Sequence, residues 1–222
     1  MKVGTDAVLL GAWVNPNGSK SILDVGTGTG VISLMLAQKT SATITAIDID
    51  KESTEQARLN VAESIFSGQI NVQHISFQDL AQNSQTKYNL IVTNPPYFID
   101  SWKSTGSRNT ARHADLLSFD DLLQGVKKLL DEKGKFCLIL PKKEAELFRA
   151  MAESKGLYLS KLMRIRTRPD KDTEKRHLMQ FEFKESEFSE STLIIEEDGG
   201  NDSHRHYTQA YKDLTKDYYL NF

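Results

Sequence analysis

The sequence predicts an α/β fold: a doubly wound, mostly parallel seven-stranded sheet with an antiparallel late strand. Three observations carry this. Short apolar runs alternate with amphipathic stretches of helical period. A turn with three glycines joins the first apolar run to the first helical stretch. Later runs also end in loop-forming, chemically distinctive residues, as open α/β sheets require where ligands bind at strand ends.

The elements follow in order. Residues 21–25 read as a short strand and 30–39 as a helix opening at the glycine turn. A strand over 42–48 leads to an amphipathic helix over 51–66, with Asp50 as its N-cap. Strands follow over 70–75, 88–93 and 135–140. Helices fit 119–130 and 142–155, the second stopped by Gly156. Residues 157–166 and 177–183 alternate as two late strands, and 207–215 form a short terminal helix. No internal repeat interrupts the pattern. The expectation is one domain over residues 1–222. Within it, 1–20 cover the site, 94–118 form a catalytic and substrate loop, and 184–206 form an acidic surface segment.

With 222 residues, 39% hydrophobic and 26% charged, the chain has the composition of a globular domain with a full core. Its longest apolar runs, such as Phe136-Cys137-Leu138-Ile139-Leu140, are far short of the ~20 residues that span a bilayer. No secretory signal opens the chain, so a cytoplasmic location and no membrane partner are expected. Cys137 is the only cysteine and reads as a small core residue. No metal site is expected: His204 and His206 stand in a polar loop without further ligand spacing. The net charge of −2 is unevenly spread. Residues 161–177 hold seven Lys/Arg against three acids, and residues 182–202 hold eight acids against one lysine. Solvated surface is the ordinary meaning of such runs.

Leu23-Asp24-Val25-Gly26-Thr27-Gly28-Thr29-Gly30 lets the backbone turn tightly and approach a ligand. Its spacing does not satisfy Gly-x-Gly-x-x-Gly, because Val31 or Ser33 falls at the last position, so a dinucleotide is disfavoured. The stretch resembles the D-x-G-x-G-x-G motif of class I S-adenosylmethionine (AdoMet) methyltransferases, a Rossmann-like fold. That resemblance implies a cofactor set of Asp24, Gly26, Thr27, Gly28 and Gly30. Asp24 would lie near the methionine end. Asp48, beside Ile49, would accept hydrogen bonds from the ribose hydroxyls, and Asp79 would meet the adenine amino group, with Phe77 or Gln78 near the ring.

The fourth strand ends in Thr93-Asn94-Pro95-Pro96-Tyr97-Phe98. This string matches the [D/N/S]-P-P-[Y/F/W] signature of amino-methyltransferases, which implies catalytic roles for Asn94, Pro95, Pro96 and Tyr97, with Asn94 beside the cofactor methyl. A conjugated amine is a poor nucleophile because its lone pair belongs to the π system. The Asn94 side-chain oxygen and the Pro95 carbonyl can each accept one N–H bond and stabilise the nitrogen as it becomes pyramidal. Two prolines stiffen the loop. Tyr97 offers a stacking face, worth about 1–3 kcal/mol for a nucleobase.

Beyond these motifs, Lys2-Val3-Gly4-Thr5-Asp6-Ala7-Val8-Leu9-Leu10-Gly11-Ala12-Trp13, Ala111-Arg112-His113 and the ending around Tyr207-Thr208 and Tyr218-Tyr219-Leu220 resemble the tRNA1(Val) (adenine(37)-N6)-methyltransferase family. The resemblance covers nearly the whole chain. It implies methylation of adenine N6 beside the anticodon, with the tRNA anticodon stem-loop as partner and a monomer as the default. Phe98, Arg108, Arg112 and His113 would meet the substrate or its phosphates. Arg166 and Arg168, with Lys161, Arg164, Lys175 and Arg176, would extend a basic surface, and the acidic segment would face away from RNA. Thr5 and Asp6 would approach the cofactor, or Asp6 would cap the first helix. Relatives usually carry a leader of some two dozen residues before the Met1-Lys2-Val3 stretch, which would help cover the cofactor. The catalytic signature alone leaves other acceptors open: release-factor glutamine, ribosomal RNA guanine N2 or DNA adenine. A non-catalytic AdoMet- and RNA-binding module is the remaining alternative.

Overall fold

The computed structural model describes residues 4–95, 117–170, 173–197 and 206–219. Eight strands form one sheet in the order β3-β2-β1-β4-β5-β7-β6-β8. They are β1 (Ser21–Val25), β2 (Thr43–Asp48), β3 (Ile70–His74), β4 (Tyr88–Thr93), β5 (Leu130–Pro141), β6 (Tyr158–Arg166), β7 (Glu174–Glu182) and β8 (Ser189–Ile194). Strands β1 to β5 run parallel, β7 is antiparallel to both neighbours, and β8 returns parallel to β6. The helices among the described residues are α1 (Thr5–Trp13), α2 (Val31–Ala37), α3 (Lys51–Ala62), α4 (Phe77–Asn83), α5 (Phe119–Leu129), α6 (Lys142–Ser154) and α7 (Gln209–Thr215).

The side-chain period of two divides the strands between two cores. Phe136, Leu138 and Leu140 of β5 enter one cluster with Phe77 of α4, Leu122 and Val126 of α5, and Phe148 of α6. Cys137 and Ile139 enter the other with Leu10 of α1, Leu36 of α2, Val61 of α3 and Tyr211 of α7. The sheet is therefore covered on both faces, which explains its near-continuous apolar strands. Fully buried Phe136, Phe148 and Phe181 each contribute about 1.5–3 kcal/mol of transfer free energy. Cys137 is buried here, and burial pushes its thiol up to about 12, consistent with an inert core residue.

Local chemistry sets the helix starts. Asp50 accepts a 2.7 Å bond from Ser53 N at the head of α3, as expected for an N-cap. Ser118 accepts from Asp121 N at 3.1 Å at the head of α5. At its other end, α1 is closed from outside: Lys39 Nζ donates to the carbonyls of Gly11, Ala12 and Val14 at 2.8, 2.6 and 3.1 Å. Burial brings the Lys39 ammonium down to about 8, opposed by Asp217.

Two elements add to the expected order. Helix α4 fills the stretch after β3, with Ser76 as N-cap accepting from Asp79 N at 3.0 Å. It is only seven residues long and shows too little period to be read from sequence. Strand β8 lies within the segment expected to be acidic surface. Only Leu193 in it is buried, because an edge strand needs hydrogen bonds to one neighbour but no continuous apolar face. Its addition makes the sheet eight-stranded. Residue 6 also departs from its expected capping role. Helix α1 is headed by Gly4 without a side-chain cap, and Asp6 pairs with Arg176 Nε at 2.8 Å.

Candidate active site

Strand β1 pairs with β2 on one side and β4 on the other, so the direction of winding reverses between β1 and β4. A cavity of about 540 Å³ opens beyond their carboxyl ends. That volume suits a small-molecule cofactor, for which sites of about 300–1,000 Å³ are usual.

The glycine turn forms the cavity floor. Gly26, Gly28 and Gly30 have φ of 69°, 57° and 85°, left-handed values that a side chain would strain. The turn is braced from three directions. Thr27 N donates to Ile47 O at 2.9 Å, Gly28 N donates to Asp48 Oδ2 at 2.8 Å, and Asn60 Nδ2 donates to Thr29 O at 2.8 Å. Beneath it, Asp24 is completely buried and its Oδ2 accepts from Thr27 Oγ1 and Ser33 Oγ, both at 2.7 Å. Asp24 Oδ1 is buried with no hydrogen-bond partner. Burial raises the Asp24 carboxyl to about 6 despite these hydroxyls.

The expected cofactor residues separate into two groups. Gly26, Thr27, Gly28, Asp48, Ile49, Gln78 and Asn94 line the cavity, together with Asp50 and Phe77. Asp48 Oδ1 accepts from Asp50 N at 2.9 Å and Oδ2 from Gly28 N, leaving each oxygen a second lone pair for a diol. Gly30, Asp24 and Asp79 do not line it. Gly30 caps α2, and its backbone sits against Ala57 of α3. Asp24 lies under the turn. Asp79 is exposed on the first turn of α4, where its Oδ2 accepts from Ser76 Oγ at 2.6 Å.

Several lining residues were not anticipated: Ala7, Ser53, Ile75, Thr93 and Leu117 among them. Thr93 had a sequence signal, a hydroxyl closing an otherwise apolar strand. It is buried, and its Oγ1 donates to Val25 O at 2.8 Å, tying the ends of β4 and β1 together. Asn94 and Pro95 follow at once and both line the cavity, facing the same space as the glycine turn. Pro96, Tyr97, Phe98, Arg108, Arg112 and His113 lie outside the described residues.

Arg166 and Arg168 stand on the same edge of the sheet but carry bonds of their own. Arg166 Nη2 donates to Pro169 O at 3.0 Å, and Arg168 Nε meets Glu196 Oε2 at 3.1 Å. Glu196 belongs to the acidic segment expected to face away from the basic surface. Among the described residues, no cluster of three or more His, Cys, Asp or Glu side chains could hold a metal, and no helix is long and apolar enough to cross a membrane.

The cavity fits AdoMet by three features: its volume, a floor whose Gly26 and Gly28 let the backbone approach a ligand, and a carboxylate with spare lone pairs at the end of β2. A doubly wound sheet with this site defines an AdoMet-dependent methyltransferase, and residues 3–154 match the family described as methyltransferase small domain. A crystal structure of a predicted O-methyltransferase from Agrobacterium tumefaciens has the same fold at TM-score 0.75. It shows 20% identity and covers 96% of each chain. A ribosomal-protein methylase from Lactobacillus delbrueckii is similar at TM-score 0.55 and 18% identity, over 82% of this chain and 77% of that one. Closer in sequence are proteins named tRNA1(Val) (adenine(37)-N6)-methyltransferase. Those of Phocaeicola vulgatus and Bacteroides fragilis are 45% and 42% identical, over 100% and 99% of this chain and 92% and 91% of theirs. The chain belongs to the tRNA1(Val) (adenine(37)-N6)-methyltransferase family.

Proposed function

We propose that this chain methylates N6 of an unpaired adenine beside the anticodon of a valine tRNA, acting as a cytoplasmic monomer. The observation that carries the reading is that Asn94 and Pro95, at the end of β4, line the same cavity as the glycine turn. Full-length similarity to tRNA methyltransferases gives the acceptor class.

AdoMet, when bound, supplies an electrophilic methyl group; N6 gains a C–N bond as the S–C bond breaks, and its proton passes to solvent. The chain's residues orient and stabilise. Asp48 would hold the ribose diol, and Phe77 and Gln78 would flank the adenine of the cofactor. The Asn94 side-chain oxygen and the Pro95 carbonyl would accept the two N–H groups of the target amine and so stabilise its growing positive charge. Thr93 keeps this pair at a fixed distance from the turn. Such positioning accounts for catalysis without a strong general base. An anticodon-loop adenine is already unpaired, which lowers the cost of drawing it into the site.

The test incubates the protein and labelled AdoMet with unmodified valine tRNA, ribosomal RNA, duplex DNA and a release factor, followed by nucleoside mass spectrometry. N6-methyladenosine confined to the tRNA is expected. Label in protein or on guanine would overturn the acceptor. Asn94→Ala should lower kcat by about 10²–10³ while AdoMet binding persists. Binding without turnover in the unaltered chain would leave only a binding module.

A further inference from the structure

The charge asymmetry of the sequence is cancelled in space by β8. Parallel pairing sets Arg164 opposite Thr192 and Arg166 opposite Ile194, which lays the acidic segment beside the basic one. Arg164 Nε is bonded to Glu190, and its Nη1 meets Glu174 at 3.1 Å. Arg168 is held by Glu196. The side chains of Arg164 and Glu190 are 29% and 41% exposed, and that of Arg168 is 42% exposed over a Glu196 that is 12% exposed, so each pair keeps one side chain open to solvent. A pair as exposed as Arg164–Glu190 contributes little to stability, so folding alone is a poor reason for it.

Arg168 and Glu196 follow the carboxyl ends of β6 and β8, on the rim of the sheet that carries Asn94, and the Arg164–Glu190 pair lies further back along the same two strands, with Glu190 in register with Leu162. Strand β6 lies three strand spacings from β4, on the order of 14 Å at about 4.8 Å each. A guanidinium fork that fits a carboxylate fits a phosphate equally well. We propose that Glu190 and Glu196 stand in for the RNA backbone, occupying Arg164 and Arg168 until phosphates of the tRNA substrate displace them. The proposal rests on the tRNA reading and deepens it. An RNA that also fills the adenine site offsets the loss of two internal ion pairs. An unrelated polyanion gains only the exchange of one anion for another. A guanidinium already paired neutralises no phosphate and so releases none of the cations condensed on the RNA, which is how internal carboxylates suppress the non-specific electrostatic term.

The test compares Glu190→Gln/Glu196→Gln with Glu63→Gln/Glu132→Gln, which makes the same charge change away from the rim. Binding of a valine tRNA transcript and of a shuffled single-stranded RNA is measured over a range of salt concentrations. The rim variant should bind shuffled RNA about tenfold more tightly, with a log–log salt slope steeper by about 1.4, or roughly 0.7 for each phosphate gained. The control pair should leave the slope unchanged. Equal responses in both pairs, or none at the rim, would overturn the proposal. Arg164→Gln/Arg168→Gln should weaken tRNA binding and flatten its slope; unchanged tRNA binding would overturn it independently. Methylation assayed in parallel separates the two readings. A responsive rim on a chain that methylates no tRNA overturns the function and keeps the surface. An unresponsive rim on an active enzyme overturns the surface alone.

Discussion

Thr93 Oγ1 donates a 2.8 Å hydrogen bond to the carbonyl of Val25, joining the last residues of β4 and β1. The residue after Thr93 is Asn94 and the residue after Val25 is the first glycine of the turn, so this buried bond reinforces the strand pairing just where the two halves of the site begin. Thr93→Val keeps the shape and removes the donor. It should cost about 1–2 kcal/mol in stability, the penalty for an unpaired buried carbonyl, and lower kcat about tenfold with a smaller change in AdoMet affinity. Thr93→Ser should recover most of kcat. Steady-state kinetics with calorimetric AdoMet binding checks this, and an unchanged kcat in Thr93→Val would remove the positioning role.

Asp24 makes stability depend on pH. Its carboxyl is raised from 3.8 to about 6 by burial, so the folded state holds the proton more tightly than the unfolded chain. Its contribution is fully favourable below about pH 4 and is lost as pH rises through 6. Asp24→Asn keeps an oxygen for Thr27 and Ser33 and carries no charge. It should be more stable than the unaltered chain by up to about 3 kcal/mol at pH 8, with the advantage gone near pH 4. Thermal unfolding at the two pH values reads this directly.

Glu174 has the opposite sign. Burial alone would raise it, but hydrogen bonds from His177, Lys142 and Arg164 outweigh burial and hold the carboxylate at about 2, below its usual 4.5. The stabilisation is present above pH 4.5 and disappears as pH falls toward 2. Glu174→Gln should therefore lower Tm by about 2–6 °C at pH 7, and the two proteins should converge in acid. A difference independent of pH would show that shape, not charge, sets the role of this residue.

Gly125 in α5 faces Phe77, a residue of the cavity lining. A Cβ at residue 125 would lie 2.3 Å from Phe77 Cε1. Alanine gains about 1 kcal/mol of helix propensity, but overpacking costs about 1–3 kcal/mol, so clash wins unless the ring moves toward the cofactor. Gly125→Ala should weaken AdoMet binding several-fold with only a small fall in Tm. Unaltered AdoMet affinity by calorimetry would show that Phe77 does not shape the site.

The order of most elements, the cofactor class and the placing of Asn94 and Pro95 at the cavity were legible because each is written locally. Strand period, glycine spacing and the Asn94-Pro95 junction need only neighbouring residues to be recognised. Asp50 as an N-cap and Cys137 as a core residue were legible for the same reason. What the tertiary structure decided concerns acids whose partners are distant or whose local role competes with a ligand. Asp24 went under the turn, Asp79 went to a cap, and Asp6 went to Arg176, 170 residues away. A carboxylate looks alike in sequence whether it meets a ribose, a helix N-terminus or a guanidinium. Strand β8 followed the same logic, since an edge strand is fixed by backbone bonds to β6, not by an apolar pattern of its own. The sequence by itself determined the fold class, the cofactor and the Asn94-Pro95 junction that ends β4, while only the tertiary structure decided which charged groups face the cavity and which neutralise one another, because charge pairing acts through space and not along the chain.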